Sequence, residues 1–228
     1  MVVIQWGDAS PEQGVAALAS IAPSDPLIAA ERARLGSPRG LPPGFEPPWF
    51  VGRSDIFYTA EIDEAPTIAL RADATAGIVR RPFELTLRPG TFLEWSWRVN
   101  ALPSRVREDA FATHDYASIA LEFDDGRDLT WYWSAALPEG HHYGCPLPRW
   151  AARETQLVVR SGREGLGAWM DERRNVQADV ANALGRVPSR IVAIWLIAVS
   201  MFQRGYASVD FRHIAVVQDG QHSTIFPS

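Results

Sequence analysis

The sequence predicts a mainly β protein, a jelly-roll-like β-sandwich with two N-terminal helices and one short late helix. From about residue 49 the chain falls into short segments in which every second residue is apolar, as in strands with one buried face. Turn-forming residues separate these segments, for example Arg88-Pro89-Gly90 and Asp124-Asp125-Gly126. Short strands joined by such turns indicate a sandwich or a barrel.

The order of the elements predicts two parts, a helical segment with a Pro-rich connector over 1–48 and a sandwich domain over 49–228. A capping box at residues 10–13 begins the first helix, and Asp25-Pro26 begins the second, which Gly36 ends. The late helix is predicted over 176–184, with Asn175 as its cap and Gly185 as its stop. The predicted strands are 57–62, 67–71, 81–87, 92–99, 117–123, 129–134, 157–160, 191–199 and 209–217.

Composition and charge exclude several classes of function. The 228 residues carry a net charge of −5 with no basic stripe, so nucleic acid is not a predicted partner. The single cysteine, Cys145, cannot form an intramolecular disulfide, so nothing ties the chain to an oxidising compartment. No apolar stretch is long enough for a membrane span, and the first residues lack the features of a secretory signal. We therefore expect a cytoplasmic protein with no membrane partner.

The alternation within the strands predicts where the core lies. Leu93, Trp95, Trp97 and Val99 share one face of a strand, and Trp131 and Trp133 alternate in the same way. Their spacing favours a core role for these tryptophans, and for Trp195, over stacking on sugar rings. The opposite face carries four polar side chains that predict either a ligand groove or a solvated surface: Glu94, Arg98, Glu122 and Tyr132.

One segment after Gly165 resembles a bacterial family known as domain of unknown function 3047. The family pattern, Gly-x-Trp-x-x-Glu-x-Arg-Asn-x-x-x-Asp, falls here on Gly167, Trp169, Glu172, Arg174, Asn175 and Asp179. The resemblance covers roughly residues 45–217. It implies a β-sandwich akin to lectins and carbohydrate-binding jelly rolls, and it implies no activity.

The departures from the family pattern concern charged positions. The stretch that begins at His114 resembles one that usually holds two aspartates and a later arginine, but here the first aspartate is His114 and the arginine is Ile119. An acidic run of the family is replaced by residues 199–203, which read Val-Ser-Met-Phe-Gln. Because unpaired buried charges are costly, we expect them to be replaced together, and we infer a site rebuilt for a less polar ligand.

Three residues are candidate catalytic groups. His114 and Asp115 are adjacent at a strand entrance and predict a general acid–base pair, with hydrogen bonding within a loop as the alternative. Glu172 is a candidate general acid, and Arg174 a candidate anchor for an anionic or carbonyl group. The alternative for these two is structural, with Arg174 paired to Glu172 or Asp179.

The other candidate site residues would bind the ligand. Arg98 or Tyr132 would polarise it, Glu94 and Tyr116 would contact it, and Met201 with Trp169 would form an apolar wall. Trp49, Trp150 and Trp169 lie outside regular strand patterns and are candidates for stacking. His141, His142 and Cys145 do not complete a four-ligand set, so we predict no metal and no cofactor.

Two functions from different classes follow. The first is a cofactor-independent enzyme of the cyclase or isomerase type that acts on a largely apolar biosynthetic intermediate. The alternative is a non-catalytic carbohydrate-binding module, and a structural or interaction protein is a third, weaker option. An enclosed apolar cavity would favour the enzyme, and an exposed strip of tryptophans would favour the module. The expected partner is a small molecule, with a homodimer as an option.

Overall fold

The structure is a computed structural model that describes residues 40–48, 55–110 and 113–227. The two predicted N-terminal helices and Trp49 lie outside the described residues. At the end of the Pro-rich connector, Phe45 is buried, and the backbones of Glu46 and Arg80 exchange two hydrogen bonds of 2.8 Å. This end of the connector therefore packs on the sandwich.

The described residues form twelve strands and one helix, which confirms the prediction of a mainly β sandwich. Nine of the strands correspond to predicted ones; β7, β9 and β12 were not predicted. The elements are β1 Phe57–Ile62, β2 Ala65–Asp73, β3 Ala76–Thr86, β4 Phe92–Ala101, β5 Ser118–Phe123, β6 Asp128–Ser134, β7 His142–Gly144, β8 Glu154–Ser161, β9 Trp169–Asn175, α1 Val176–Leu184, β10 Arg190–Val199, β11 Tyr206–Gln218 and β12 Gln221–Phe226.

The strands form two six-stranded sheets. The first has the order β1-β2-β11-β4-β9, with β12 also paired to β11, and the second has the order β3-β10-β5-β6-β8-β7. All neighbours are antiparallel except β6 and β8, which run parallel. Among the described residues, no helix is long and apolar enough to cross a membrane.

The tryptophan-rich faces of both sheets form the core. Trp95, Trp97, Trp131 and Trp133 are each at most 1% exposed and pack with ring centroids 5.5–6.5 Å apart. These four predictions are confirmed. The prediction for Trp195 is wrong, because its side chain lies on the outer face of β10, where it is half-buried.

The polar face expected from the strand alternation is divided between the two sheets. Glu94 and Arg98 lie on β4 of the first sheet, whereas Glu122 and Tyr132 lie on β5 and β6 of the second. Because the core separates the sheets, their outer faces are on opposite sides of the sandwich. One groove cannot contain all four side chains.

The late helix begins and ends as predicted. The Asn175 side chain accepts a hydrogen bond of 3.0 Å from the backbone N–H of Ala178, and Gly185 ends the helix with φ +71°. Val176 and Val180 are the buried residues of the helix.

The cap gives a test of this local structure. Replacing Asn175 with alanine should lower the free energy of unfolding by about 1 kcal/mol, since one N–H of the first turn loses its acceptor. Asn182, exposed within the same helix, is the matched control, and Asn182→Ala should cost nothing. Urea unfolding measures both. Equal effects of the two substitutions would contradict the role of the cap.

Two long connections lie next to the outer face of the second sheet. The described residues 102–110 and 113–117 precede β5, and residues 135–153 join β6 to β8 and include β7. Small or polar side chains of the sheet are buried on this side, among them Ser118, Ala120 and Thr130. The connections therefore create a second buried layer outside the main core.

Candidate functional site

A pocket of about 110 Å³ lies in this second buried layer. An engineered cavity of about 150 Å³ holds a benzene molecule, so this pocket has room for a group of roughly that size. The wall is largely apolar but also contains ionisable groups. The lining residues are Ile78, His114, Asp115, Ala120, Asp128, Leu147, Trp150, Arg153, Glu154, Trp195, Ile197, Val199 and Phe202.

The strands of the second sheet supply much of the apolar wall. Trp195 and Ile197 are alternate residues of β10, so both side chains face the pocket. The Trp195 indole N–H donates to Glu122 Oε2 at 3.0 Å, and the Arg80 guanidinium, which pairs with the same carboxylate, lies 5.8 Å from the indole centroid. These contacts hold the indole in place beside the pocket.

A histidine, a thiol and an aspartate meet beside the pocket. His114 Nε2 lies 3.1 Å from Cys145 Sγ and 3.2 Å from Asp115 Oδ2. All three side chains are buried. The backbone of Asp115 is in the left-handed region, with φ +66°, and its carbonyl accepts a hydrogen bond of 2.7 Å from Val199 N–H. This conformation is unusual for a residue other than glycine and holds the Asp115 backbone at the end of β10.

Two further carboxyl groups extend the polar wall. Glu154 is buried, accepts a hydrogen bond of 2.5 Å from the Gln156 amide, and shares a hydrogen bond with the carboxyl group of Asp115. Asp128 is the cross-strand neighbour of Glu154 and lies 3.5 Å from the Thr130 hydroxyl. The pocket therefore has three acidic groups on one side.

Burial dominates the ionisation of this polar wall. It raises the pKa of Asp115 to about 6, and it raises the pKa of Glu154 and of Asp128 well above their ordinary values. Burial lowers the pKa of His114 and raises that of the Cys145 thiol. Each shift favours the neutral form of the group, because a low-dielectric site destabilises an isolated charge.

Several buried polar atoms of the cluster have no hydrogen-bond partner among the described residues. They are His114 Nδ1, Asp115 Oδ1 and Gln156 Oε1. An unpartnered buried polar atom costs about 1–3 kcal/mol. Asp115 also lines the pocket, but this oxygen is covered by the surrounding atoms.

The same cluster contains the atoms that a metal ion would require. Donor atoms of His114, Cys145 and Glu154 lie within 4.8 Å of one another, and all three residues are buried. The sequence pattern groups Cys145 with His141 and His142 and not with His114. His142 is exposed, and His141 bonds Asp109 at 3.1 Å instead.

The structure places two of the three predicted catalytic residues at the pocket and the third elsewhere. His114 and Asp115 line the pocket together. Glu172 does not line it: its carboxylate accepts hydrogen bonds from the Trp97 indole at 3.0 Å and from Arg160 at 2.6 Å. Since Arg160 belongs to β8, Glu172 links β9 of the first sheet to β8 of the second.

The other signature residues also have structural contacts. Arg174 forms two hydrogen bonds with Asp179, of 2.7 and 2.8 Å, and Asp179 also accepts from the Trp131 indole at 2.8 Å. The pairing of Arg174 with Asp179 was one of the structural alternatives. The signature segment thus ties α1 to the core tryptophans.

The predicted ligand-binding residues of the first sheet lie on the outer face opposite the pocket. Glu94 pairs with Arg173 at 2.7 Å, and Arg98 pairs with Asp63 and Asp210. Trp169 has guanidinium groups within 5.0 Å of its ring centroid, from Arg98 and from Arg212. These residues form a surface network and do not contact the pocket.

The remaining predicted residues lie near the pocket but do not line it. Tyr116 and Tyr132 are fully buried, and their hydroxyls bond Glu108 at 2.5 Å and Tyr143 at 2.9 Å. Met201 is 48% exposed, and its neighbour Phe202 lines the pocket instead. The expected apolar wall of Met201 and Trp169 is therefore replaced by Phe202 with Trp150 and Trp195.

Only weak sequence signals point to the site residues that were not predicted. Glu154 and Gln156 are alternate residues of β8, but the predicted strand began only at residue 157. A longer strand would have revealed a polar face beside Asp128 and Thr130. Cys145 and Trp150 lie in irregular backbone, where no repeating sequence pattern predicts which way a side chain points.

Comparison with known proteins gives one family. The family described as protein of unknown function (DUF3047) matches residues 50–215. A search of curated proteins finds no match. Among solved structures, the xyloglucanase domain of NopAA, a type three effector from Sinorhizobium fredii in complex with cellobiose, aligns with 79% of this chain and 98% of that chain, at 9% identity and a TM-score of 0.43.

Proposed function

Since the chain belongs to the DUF3047 family, whose description gives no activity, we propose a function from the pocket itself. The protein binds a small, largely apolar molecule in this pocket and acts on it as a cofactor-independent enzyme of the cyclase or isomerase type. The observation that carries the proposal is an apolar cavity of about 110 Å³ with the buried carboxyl group of Asp115 in its polar wall.

The lining supports an uncharged ligand with one polar end. A ring-sized apolar group fits between Ile197, Val199 and Trp195, where burial of apolar surface stabilises it. A hydroxyl or carbonyl on that group can reach Asp115, whereas a carboxylate would meet three acidic side chains. Confinement of one reactive conformer beside a polar group is the basis of catalysis in this proposal.

The largely apolar lining of the pocket supports the enzyme over the carbohydrate-binding alternative. Among the described residues, no tryptophan is exposed enough to form a flat platform, and Trp169 is covered by arginines. We propose that the protein acts in the cytoplasm, with a homodimer as the alternative to a monomer. Sedimentation velocity separates the two oligomeric states.

Filling the pocket tests the binding step. Val199→Trp places an indole in the cavity, so binding of a ring-sized probe such as cyclohexanone, followed by ligand-observed NMR, should weaken about tenfold or more, equivalent to about 1.4 kcal/mol. Val192→Trp is the matched control, because Val192 is a half-buried residue of the same strand outside the pocket lining. Failure of the probe to bind, or equal binding by both variants, contradicts the proposal.

The catalytic step requires candidate substrates. Carbonyl-containing intermediates made by enzymes encoded beside this chain are incubated with the protein, and product formation is followed by mass spectrometry. Asp115→Leu should abolish turnover, since the polar end of the substrate loses its contact. Turnover unchanged by this substitution would remove Asp115 from the site.

A further inference from the structure

The buried cluster beside the pocket combines nitrogen, sulfur and oxygen donors from three separate segments. His114 precedes β5, Cys145 follows β7, and Glu154 is the first residue of β8. Their donor atoms lie within 4.8 Å of one another, and none of the three residues is more than 7% exposed. Such convergence of an imidazole, a thiol and a carboxyl group is the usual composition of a transition-metal site.

In the described part of the chain, the acidic groups around the cluster lack a positively charged partner, a place that a bound cation could take. Asp115, Asp128 and Glu154 form no ion pair with an arginine among the described residues. Arg153 lines the same pocket but is exposed, with its guanidinium 5.8 Å from the Trp150 ring. A divalent ion would offset the buried negative charge that these carboxyl groups carry when ionised.

An unpartnered oxygen provides an independent observation. Asp115 is 7% exposed, its Oδ1 has no partner among the described residues, and its Oδ2 lies 3.2 Å from His114 Nε2. A second carboxylate thus stands beside the three donors, directed at the same imidazole nitrogen. Hydrogen bonds within the cluster do not satisfy this oxygen.

We propose that His114, Cys145 and Glu154 bind a divalent zinc-type ion whose remaining coordination position faces the pocket. The thiol and imidazole disfavour Mg²⁺ and Ca²⁺, which prefer oxygen ligands, and favour Zn²⁺ or Co²⁺. Two ligands of a tetrahedral zinc ion lie roughly 3.5 Å apart, given bonds of about 2.0–2.3 Å. The 3.1 Å between His114 Nε2 and Cys145 Sγ therefore requires only a small shift on binding.

This site goes beyond the proposed function. It keeps the pocket and its ligand, replaces the cofactor-independent chemistry with metal-assisted chemistry, and revises the sequence-based expectation of no metal. Three protein ligands with one position open to a cavity are typical of catalytic rather than structural zinc. Both His114 and Glu154 line the pocket, so the open position would lie where a bound molecule presents its polar end. The ion would act there as a Lewis acid on a carbonyl oxygen.

Cobalt titration of the full chain tests the proposal. The purified protein is treated with a chelator and titrated with Co²⁺, which gives a thiolate-to-cobalt charge-transfer band when sulfur is a ligand. We expect one Co²⁺ per chain, displacement by Zn²⁺, and the charge-transfer band. Because the chain has a single cysteine, this band identifies Cys145 as the ligand.

Variants separate a built site from surface binding. Cys145→Ser should abolish the band and weaken Co²⁺ binding by about tenfold or more, and Glu154→Gln should weaken it to a similar extent. His142→Gln, at an exposed histidine near the cluster in sequence, should change neither. Circular dichroism confirms that each variant is folded. If a variant does not fold, the band in the unaltered chain remains decisive.

Two results would overturn the proposal: a wild-type titration without a thiolate band, or Cys145→Ser binding Co²⁺ as tightly as wild type. The outcome is separate from that of the proposed function. Cyclohexanone binding to chelator-treated protein tests the pocket, and Co²⁺ titration without probe tests the metal site. Either experiment can fail while the other succeeds.

Discussion

Replacement of Glu108 by alanine will lower the free energy of unfolding by about 3–5 kcal/mol, because it removes the acceptor for several buried donors. Glu108 is fully buried. Its carboxyl group accepts hydrogen bonds from the Tyr116 hydroxyl at 2.5 Å, the Ser134 hydroxyl at 2.7 Å and the Ala135 N–H at 2.8 Å. Alanine accepts from neither hydroxyl, whereas the Ala135 N–H retains the Tyr116 hydroxyl as an acceptor at 2.8 Å. Urea unfolding measures the loss.

Two comparisons isolate the role of the carboxyl group. Glu108→Gln keeps one carbonyl acceptor and should cost clearly less than alanine. Glu164→Ala, at an exposed glutamate in a turn, should change the free energy of unfolding by less than about 0.5 kcal/mol. Similar small losses for Glu108→Ala and Glu164→Ala would show that the network contributes little to stability.

The same network connects stability with the pocket. Glu108 and Tyr116 lie in the connection that carries His114 and Asp115, while Ser134 ends β6. The hydrogen bonds therefore fix this connection to the second sheet. We expect Glu108→Ala to weaken probe binding as well, although Glu108 does not line the pocket.

Local patterns were sufficient to predict the core. Trp95, Trp97, Trp131 and Trp133 were predicted as buried because a period of two depends only on the strand that contains them. The cap at Asn175 and the turn at Gly126, with φ +79°, also depend on a few adjacent residues. In each case the physical cause lies within one element.

The site depends on long-range pairing, which no local pattern contains. The alternation placed Glu94 and Tyr132 on polar faces, but it could not tell that β4 and β6 belong to different sheets. Glu172 was a reasonable candidate acid until the fold brought Arg160 and the Trp97 indole to its carboxylate. His114 was predicted because its neighbour is acidic.

The residues that complete the cluster come from distant segments. Cys145 is 31 positions from His114 in the chain, yet their side chains meet at 3.1 Å. Glu154 reaches the cluster because β8 pairs in parallel with β6. Parallel pairing requires a long crossover, and here the crossover contains β7 and Cys145. The connection that makes the pairing possible therefore also supplies the thiol.

We also expect the free energy of unfolding of the metal-free protein to depend strongly on pH. Burial raises the pKa of Asp115 to about 6, against about 3.8 for an ordinary aspartate. A group with a raised pKa in the folded state contributes stability that is complete below about pH 4 and is lost as the pH rises through about 6. The loss from this carboxyl group amounts to about 3 kcal/mol by pH 7.

Asp115→Asn removes the charge and retains the shape, and asparagine also tolerates a positive φ. The variant should therefore gain stability relative to wild type as the pH rises, by about 2 kcal/mol between pH 4 and pH 7. Urea unfolding of chelator-treated protein at both pH values measures this difference. Comparing variant with wild type reduces the contribution of His114, whose lowered pKa has the opposite effect, since it removes stability as the pH falls.

The groups that face Asp115 determine how the result is interpreted. Glu154 and Gln156 hydrogen-bond its carboxyl group, Asp128 adds repulsion, and His114 lies 3.2 Å away. Asp219→Asn is the matched control, because Asp219 is exposed and also has a positive φ, of 52°. If the difference in free energy of unfolding between Asp115→Asn and wild type stays constant with pH, neighbouring groups already stabilise the Asp115 carboxylate in the folded protein. A difference that grows with pH and disappears when Zn²⁺ is added would mean that the ion supplies the missing compensation.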